Sequence, residues 1–267
     1  MTGMDPAQPS NMDPAQSRNS VWYALLNRAE RAAVREAGHI HLPAWQRSTP
    51  GEGRWPVTAC LLVAIALQLL LPGQLRLLPR YLLPALEAAL LIGLIAADPV
   101  RIESRSRMIR VATITLIFLI SLANATSAVV LVRDLVIGAH GVTAAAGAHG
   151  AATRLLASGG SVWVTNVIAF SLWYWEFDRG GPVHRANGTF RFADLMFPQM
   201  ASPELAPPDW EPRFTDYLYL SWTNATAFSP TDVMPLARWA KLTMLVQSAV
   251  SLAVGVLVIA RAVNILR

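Results

Sequence analysis

A short segment near the C-terminus carries the residues whose types could do chemistry. Hydroxyl, amide and carboxylate oxygens can line ion pathways or hold cations. Here such groups occur within ten positions of one another, at Thr223, Asn224, Thr226, Ser229, Thr231 and Asp232. Ala227, Phe228 and Pro230 complete the segment. Residues of these types also cap and close helices, so a helix end beside Pro230, with Asp232 capping the next helix, is the alternative interpretation.

Two further polar residues lie inside apolar stretches. An ionised carboxylate at membrane depth is costly unless it is paired or hydrated. Glu87 is therefore either a proton or ion relay or a neutral carboxyl that is hydrogen-bonded between helices. Gln247, like Asn124, Thr126 and Asn166, is expected to form hydrogen bonds between helices.

The sequence supports no other chemistry. It contains no glycine-rich phosphate loop, no metal-ligand cluster and no nucleophile with a neighbouring base. His39 and His41 do not make a metal site by themselves. Glu176 and Asp178 beside Arg179 favour a structural charge cluster over a catalytic carboxylate pair. We therefore expect no enzymatic activity, no metal and no cofactor.

The composition indicates a membrane protein. Hydrophobic residues make up 54% of the 267 residues and charged residues only 15%, whereas a soluble domain usually carries about 25% charged residues. The basic residues are arginines with a single lysine, and they cluster beside apolar runs. That placement is typical of membrane flanks rather than of a nucleic-acid-binding face. The expected partner is therefore the lipid bilayer, and no nucleic acid.

Five apolar segments are long enough, or nearly so, to cross a bilayer. The hydrocarbon core is about 30 Å thick and a helix rises about 1.5 Å per residue, so a span needs roughly 17 to 25 apolar residues. The segments are residues 55–71, 81–97, 111–132, 160–177 and 242–259. Residues 135–159, rich in Ala and Gly, are interpreted as a loop, with a sixth crossing as the alternative. The expected fold is an all-α membrane protein with five transmembrane helices, or six if that stretch crosses.

The distribution of basic residues predicts an orientation. With five crossings and a cytoplasmic N-terminus, 16 of the 22 basic residues lie in the cytoplasm, and a sixth crossing lowers this number to 13. Both arrangements satisfy the positive-inside rule. The expected location is the bacterial inner membrane, as a multi-pass protein.

The chain divides into four parts. Residues 1–19 contain Met-Asp-Pro-Ala-Gln twice and are expected to be disordered. Residues 20–54 are expected to form an amphipathic helix, at 20–37, and a linker. Residues 55–159 would be an N-terminal transmembrane module. Residues 160–267 would be a pore-domain-like unit of a span, a loop, a half-helix and the last span.

The residues between the last two spans have the pattern of a re-entrant loop. Prolines make residues 198–212 extended and irregular, and a compact amphipathic unit follows at 215–227. A non-helical stretch, 228–235, then leads to the last span. Such irregular backbone is tolerated at membrane depth only where protein or a water-filled cavity satisfies its polar groups.

This segment resembles the pore loop of bacterial two-transmembrane-type potassium channels. Residues 218–235 read LYLSWTNATAFSPTDVMP and align without a gap on the pattern LYFSxxTxTTVGYGDxxP. The matching residues are Leu218, Tyr219, Ser221, Thr226, Asp232 and Pro235. The resemblance implies a homotetramer around a shared pore and a monovalent cation as the permeant species.

The filter residues of those channels are not kept. Their Thr-Val-Gly-Tyr-Gly carbonyls coordinate dehydrated ions, and the glycines permit the required backbone turns. The corresponding residues 227–231 read AFSPT, and proline fixes φ near −65° at position 230. A pore in this chain would therefore not be of the potassium type.

A second resemblance covers other stretches of the same region. An uncharacterised bacterial integral membrane protein family carries the phrases WYWExDRGGP, FPQMxSPELAPPDW, TNATAFSPTD and ARAVNIL. They stand here at residues 173–182, 197–210, 223–232 and 260–266. This resemblance implies a shared fold without an activity.

Two functions follow as hypotheses. The first is an ion-channel-like protein in which residues 228–232 constrict a pore that permits passive ion permeation. The second is a non-conducting scaffold or accessory protein that uses residues 197–235 as a docking surface. An oligomer is required by the first hypothesis alone.

Overall fold

The structure is a computed structural model that describes residues 43–75, 79, 81–97, 106–137, 148–188, 192–226 and 232–266. These residues are mostly helical. The disordered segment expected at 1–19 and the amphipathic helix expected at 20–37 lie outside the described residues.

Six helices of more than ten residues build the described part of the chain. They are α1 (Trp55–Leu70), α2 (Leu82–Ala97), α3 (Arg107–Ile137), α4 (Ala148–Phe177), α5 (Phe214–Thr226) and α6 (Arg238–Leu266). Short helical turns occupy Ala44–Gln46, Gly73–Leu75, Asp178–Gly180, Pro182–Ala186, Pro198–Ala201 and Pro203–Leu205. Two short strands are β1 (Leu195–Met196) and β2 (Met234–Pro235).

Among the described residues, three helices are long and apolar enough to cross a membrane. They are α3, α4 with the turn that continues it to Gly180, and α6. The expected all-α membrane fold is confirmed to this extent. The apolar helices α1 and α2 have 16 residues each, or about 24 Å of length. Prolines limit α1, because Pro56 occupies its first turn and Leu71 is extended before Pro72.

Helix α4 is the centre of the bundle. It packs against α1, α3, α5 and α6. Of its most apolar stretch, 61% is buried, against 39% for α3 and 22% for α6. The small residue Gly159 permits the close approach of α4 to α6, since a Cβ at that position would lie 2.6 Å from Cγ2 of Val258.

Helices α1 to α4 and α6 run alternately between two ends of the bundle. We call the end that holds residues 178–213 and 232–237 the loop end. There the start of α3 meets the end of α4, where Arg110 Nε lies 3.4 Å from Glu176 Oε1. At the opposite end, Leu155 of α4 packs in one cluster with Val258 of α6. Ser127 Oγ of α3 donates to the carbonyl of Leu75 there, after the end of α1, at 3.0 Å.

A two-stranded ladder joins the segments on either side of α5. Strands β1 and β2 are antiparallel, with Leu195 opposite Pro235 and Met196 opposite Met234. The backbone N–H of Leu236 extends the pairing by donating to the carbonyl of Asp194 at 2.8 Å. The chain therefore leaves the loop end before α5 and is back at the loop end after it.

The prediction of a loop at residues 135–159 is wrong for the described positions of this stretch, because they are helical. Residues 135–137 end α3, and Ala148–Gly159 form the first turns of α4, continuous with the span expected at 160–177. Residues 138–147 lie outside the described residues. Alanine is the best helix former, and Ala151, Ala152 and Leu155 bury one face of these turns. The boundary expected between the N-terminal module and the pore-domain-like unit falls inside this helix.

Adjacent glycines of α4 test the contact between α4 and α6. We expect Gly159→Ala to destabilise the protein by about 1–3 kcal/mol, because the new methyl group would overlap the stiff side chain of Val258. Gly160→Ala is the matched control, since a Cβ at that position meets no atom within 4 Å. Thermal unfolding in detergent measures both variants. Equal melting temperatures for the two variants would contradict the close approach.

Candidate functional site

A partly buried glutamate positions the start of α5. Glu52, which precedes α1, accepts hydrogen bonds from the backbone N–H of Phe214 through Oε1 and from Trp175 Nε1 through Oε2, the latter at 2.7 Å. Burial raises the pKa of Glu52, although both hydrogen bonds and the nearby Arg185 oppose that shift. The carboxyl group thus joins three segments, the linker before α1, the end of α4 and the first residue of α5.

A second carboxylate, Asp178, holds the first turn of α5 and strand β1 at the end of α4. Asp178 is fully buried. Its Oδ2 accepts the hydroxyl of Tyr217 at 2.6 Å and Nε of Arg179 at 3.3 Å, and its Oδ1 accepts the backbone N–H of Leu195 at 3.3 Å. The charge cluster predicted around Asp178 and Arg179 is thus an ion pair inside the fold.

The turn after Asp178 has an unusual backbone. Arg179 has φ 51°, and Gly180 and Gly181 follow with φ 77° and 100°. Arg179 is held in this left-handed conformation because its N–H donates to Asp194 Oδ2 at 2.8 Å and its Nη1 donates to the carbonyl of Trp45 at 2.6 Å. Left-handed backbone is costly for a residue other than glycine. These contacts therefore stabilise the turn by which the chain leaves α4.

Helix α5 runs from the loop end towards the middle of the bundle. Its first turns lie beside Asp178, but Ser221 Oγ donates to the carbonyl of Val167 at 2.6 Å. Val167 lies eleven residues before Asp178 on α4, a distance of about 16 Å along the helix. Trp222 meets Trp163 edge to face, with 5.0 Å between ring centroids.

A buried hydrogen-bond network joins the second half of α5 to α4 and α6. Gln247 Nε2 donates to the carbonyl and to Oγ of Ser221, at 2.8 and 2.7 Å. Its Oε1 accepts the hydroxyl of Tyr174 at 2.7 Å and Nδ2 of Asn224 at 2.8 Å. Asn224 Oδ1 in turn accepts Oγ of Ser248 at 3.1 Å. Because both ends of the Gln247 amide are used, this network is a fixed polar core rather than an open site.

The structure brings together part of the predicted site. Asn224 and Gln247, predicted for two different roles, are direct hydrogen-bond partners. Thr223 and Thr226 instead bond back to carbonyls of their own helix, at 3.0 and 2.9 Å, as side chains near a helix end do. Asp232 is exposed, two residues before β2. The remaining candidates, Ala227, Phe228, Ser229, Pro230 and Thr231, lie outside the described residues.

Glu87 belongs to a different contact. It is fully buried in α2, and its Oε1 accepts Nε2 of Gln68 in α1 at 3.3 Å. Its Oε2 has no hydrogen-bond partner within the described residues. An ionised carboxylate with one hydrogen bond would be costly at this depth, which favours the neutral carboxyl interpretation over a relay.

Other polar side chains also link the helices. Asn124 Nδ2 donates to Asn166 Oδ1 at 3.3 Å, and Asn166 Nδ2 donates to Ser251 Oγ at 2.9 Å. The interhelical role predicted for both asparagines is confirmed. It is wrong for Thr126, whose hydroxyl donates to the carbonyl of Ala123 in the same helix at 2.9 Å. Sequence reasoning missed Ser221, Ser248 and Tyr174 as parts of the network around Gln247. The spacing of Ser221 and Asn224 on one helix face, and of Gln247 and Ser251 on another, was the available signal.

Comparisons with protein-family models, with curated proteins and with solved structures found no match to this chain. A functional assignment therefore rests on the sequence pattern and on the contacts described above.

Substitution of Gln247 tests the network. We expect Gln247→Leu to lower the melting temperature, because Tyr174, Asn224 and Ser221 would each lose a buried partner at about 1–3 kcal/mol for each unsatisfied group. Leu245→Ala is the control, since this side chain is 66% exposed on the same helix. Thermal unfolding in detergent measures both. A Gln247→Leu protein as stable as the control would show that the network is not a stabilising core.

Proposed function

We propose that this chain is an ion-channel-like membrane protein in which α5 and the residues that lead to β2 form a re-entrant loop. The pore that this loop lines is not of the potassium type, because the sequence lacks the filter glycines. Five helices cross the inner membrane, with the loop end in the cytoplasm.

One observation carries the proposal. The start of α5 and strand β2 both contact the loop end, whereas Asn224 contacts Gln247, nine residues or about 14 Å into α6. Six residue steps separate Thr226 from Asp232, and an extended chain of that length reaches up to about 20 Å. The chain can therefore return to the end at which it began.

The chemistry of the described contacts is consistent with a re-entrant half-helix. Backbone at membrane depth that is not part of a complete span must be surrounded by protein. Helix α5 packs against both α4 and α6. The backbone carbonyl of Val167 in α4 and the side-chain amide of Gln247 in α6 supply polar partners of its second half.

The uncovered faces favour assembly of several copies. On α5, Tyr219 is 57% and Trp222 is 50% exposed, and only 22% of the most apolar stretch of α6 is buried within the chain. These two helices would meet their counterparts in a homotetramer, with a monovalent cation as the permeant species on the axis.

Ion flux into reconstituted vesicles tests conduction. We expect cation flux above that of protein-free vesicles, and a several-fold reduction by Asp232→Asn, because the exposed carboxylate at the mouth of the loop concentrates cations. Asp209→Asn is the matched control, since this carboxylate is exposed at the same end outside α5 and β2. Background flux in the wild-type protein would refute the channel hypothesis.

Cysteine labelling tests the topology. In a Cys60→Ala background, Ala201→Cys at the loop end and Asn264→Cys near the opposite end are both exposed positions. We expect a membrane-impermeant maleimide to label position 264 in intact cells and position 201 only after permeabilisation. Labelling of both positions from one side would exclude a single membrane crossing between residues 201 and 264.

The alternative function is a non-conducting scaffold. It is favoured by the apolar side chains that the loop end exposes, with Leu205 at 82%, Met234 at 51% and Leu236 at 48% exposure. The oligomeric state separates the two functions, because a monomer cannot form a shared axial pore. Native mass spectrometry from detergent would give a tetramer for the channel and a monomer for the scaffold.

A further inference from the structure

A cavity of about 420 Å³ lies at the loop end between α1, α2, α3 and α4, apart from α5 and its network. Its volume falls in the range of about 300–1,000 Å³ that small-molecule sites occupy. Basic residues line the part of this cavity nearest the loop end, which we call its mouth. Apolar residues line the deeper part, which we call its floor.

The mouth is basic. Three arginines line it, Arg54 before α1 and Arg107 and Arg110 at the start of α3. Glu176 is the one carboxylate among the described lining residues, and it is paired with Arg110. Among the described lining residues, three guanidinium groups therefore outnumber one carboxylate.

The floor is apolar. It is made of buried aliphatic side chains from all four helices, and they are Leu61, Leu91, Leu94, Leu116, Ile117 and Leu172. No charged side chain of the described residues lines this part of the cavity. An ion alone would make no contact with the apolar floor, and an uncharged apolar molecule would make no use of the arginines.

We infer that this cavity binds an anionic phospholipid, with its phosphate at the arginines and acyl chain carbons on the leucine floor. Arginine is suited to phosphate because its planar guanidinium offers paired donors. Basic pockets between transmembrane helices on the cytoplasmic side are where anionic headgroups bind. The high density of basic residues at the loop end in the sequence places this mouth on that side.

The charged residues at the mouth have different roles. Glu176 is buried and holds Arg110 by its ion pair, so Glu176 is a positioning residue and Arg110 is part of the mouth. Arg107 is exposed and can be changed without disturbing a buried contact. Leu94 lies on the floor, where a larger side chain would fill the space that an acyl chain occupies.

The test measures lipid-dependent stability of the full chain in detergent. Delipidated protein is titrated with phosphatidylglycerol, with phosphatidylcholine of the same acyl chains and with inorganic phosphate, and the melting temperature is followed. We expect phosphatidylglycerol to raise the melting temperature most, because a ligand that binds only the folded state stabilises it. Arg107→Gln should weaken its binding about tenfold, equivalent to about 1.4 kcal/mol. Leu94→Trp should weaken it as well, and Arg238→Gln, an exposed arginine outside the cavity, should leave it unchanged.

Three results would overturn the proposal. Equal stabilisation by the two lipids would remove the role of the anionic headgroup. Stabilisation by inorganic phosphate at the same concentration as phosphatidylglycerol would remove the lipid as the ligand. Unchanged phosphatidylglycerol binding in both the Arg107→Gln and Leu94→Trp proteins would place the site elsewhere. These outcomes do not depend on ion conduction, so the lipid site and the proposed channel can fail separately.

Discussion

The buried carboxylate of Asp178 is the interaction on which the arrangement of the C-terminal half depends. An unpaired charge at zero exposure would be strongly destabilising. Asp178 is compensated by three donors that come from different segments, the hydroxyl of Tyr217, the guanidinium of Arg179 and the backbone of Leu195. Satisfying this one group therefore fixes the start of α5 and the strand ladder against the end of α4.

The position of the rest of α5 follows from the contact between Asp178 and Tyr217. Once Tyr217 is held at Asp178, the helical repeat places Ser221 and Asn224 one and two turns further into the bundle. Gln247 meets both residues from α6. Two buried polar groups, one at the loop end and one at mid-depth, thus determine the direction of α5, and apolar packing fills the space between them.

Much of the fold could be predicted from the sequence because hydropathy and length report directly on helices in an apolar medium. The long helices, a helix near 215–227 and the linking roles of Asn124 and Asn166 were predictable for this reason. Residues 148–159 were harder, since Ala and Gly give a weak hydropathy signal and their helix is stabilised by packing on α6 that no local pattern encodes. The partners of Gln247 were equally hidden, because Tyr174 lies 73 positions away in the chain. The cavity depends on four helices at once and leaves no motif in the sequence.

The 16-residue length of α1 and α2 has a consequence for the surrounding lipid. A hydrocarbon core of about 30 Å exceeds the roughly 24 Å that each helix offers. The longer helices α3 and α6 exceed it. Such hydrophobic mismatch makes acyl chains shorten on one side of the protein and lets the long helices tilt on the other. With α1 and α2 as spans, as proposed above, the molecule would favour thin regions of a bilayer.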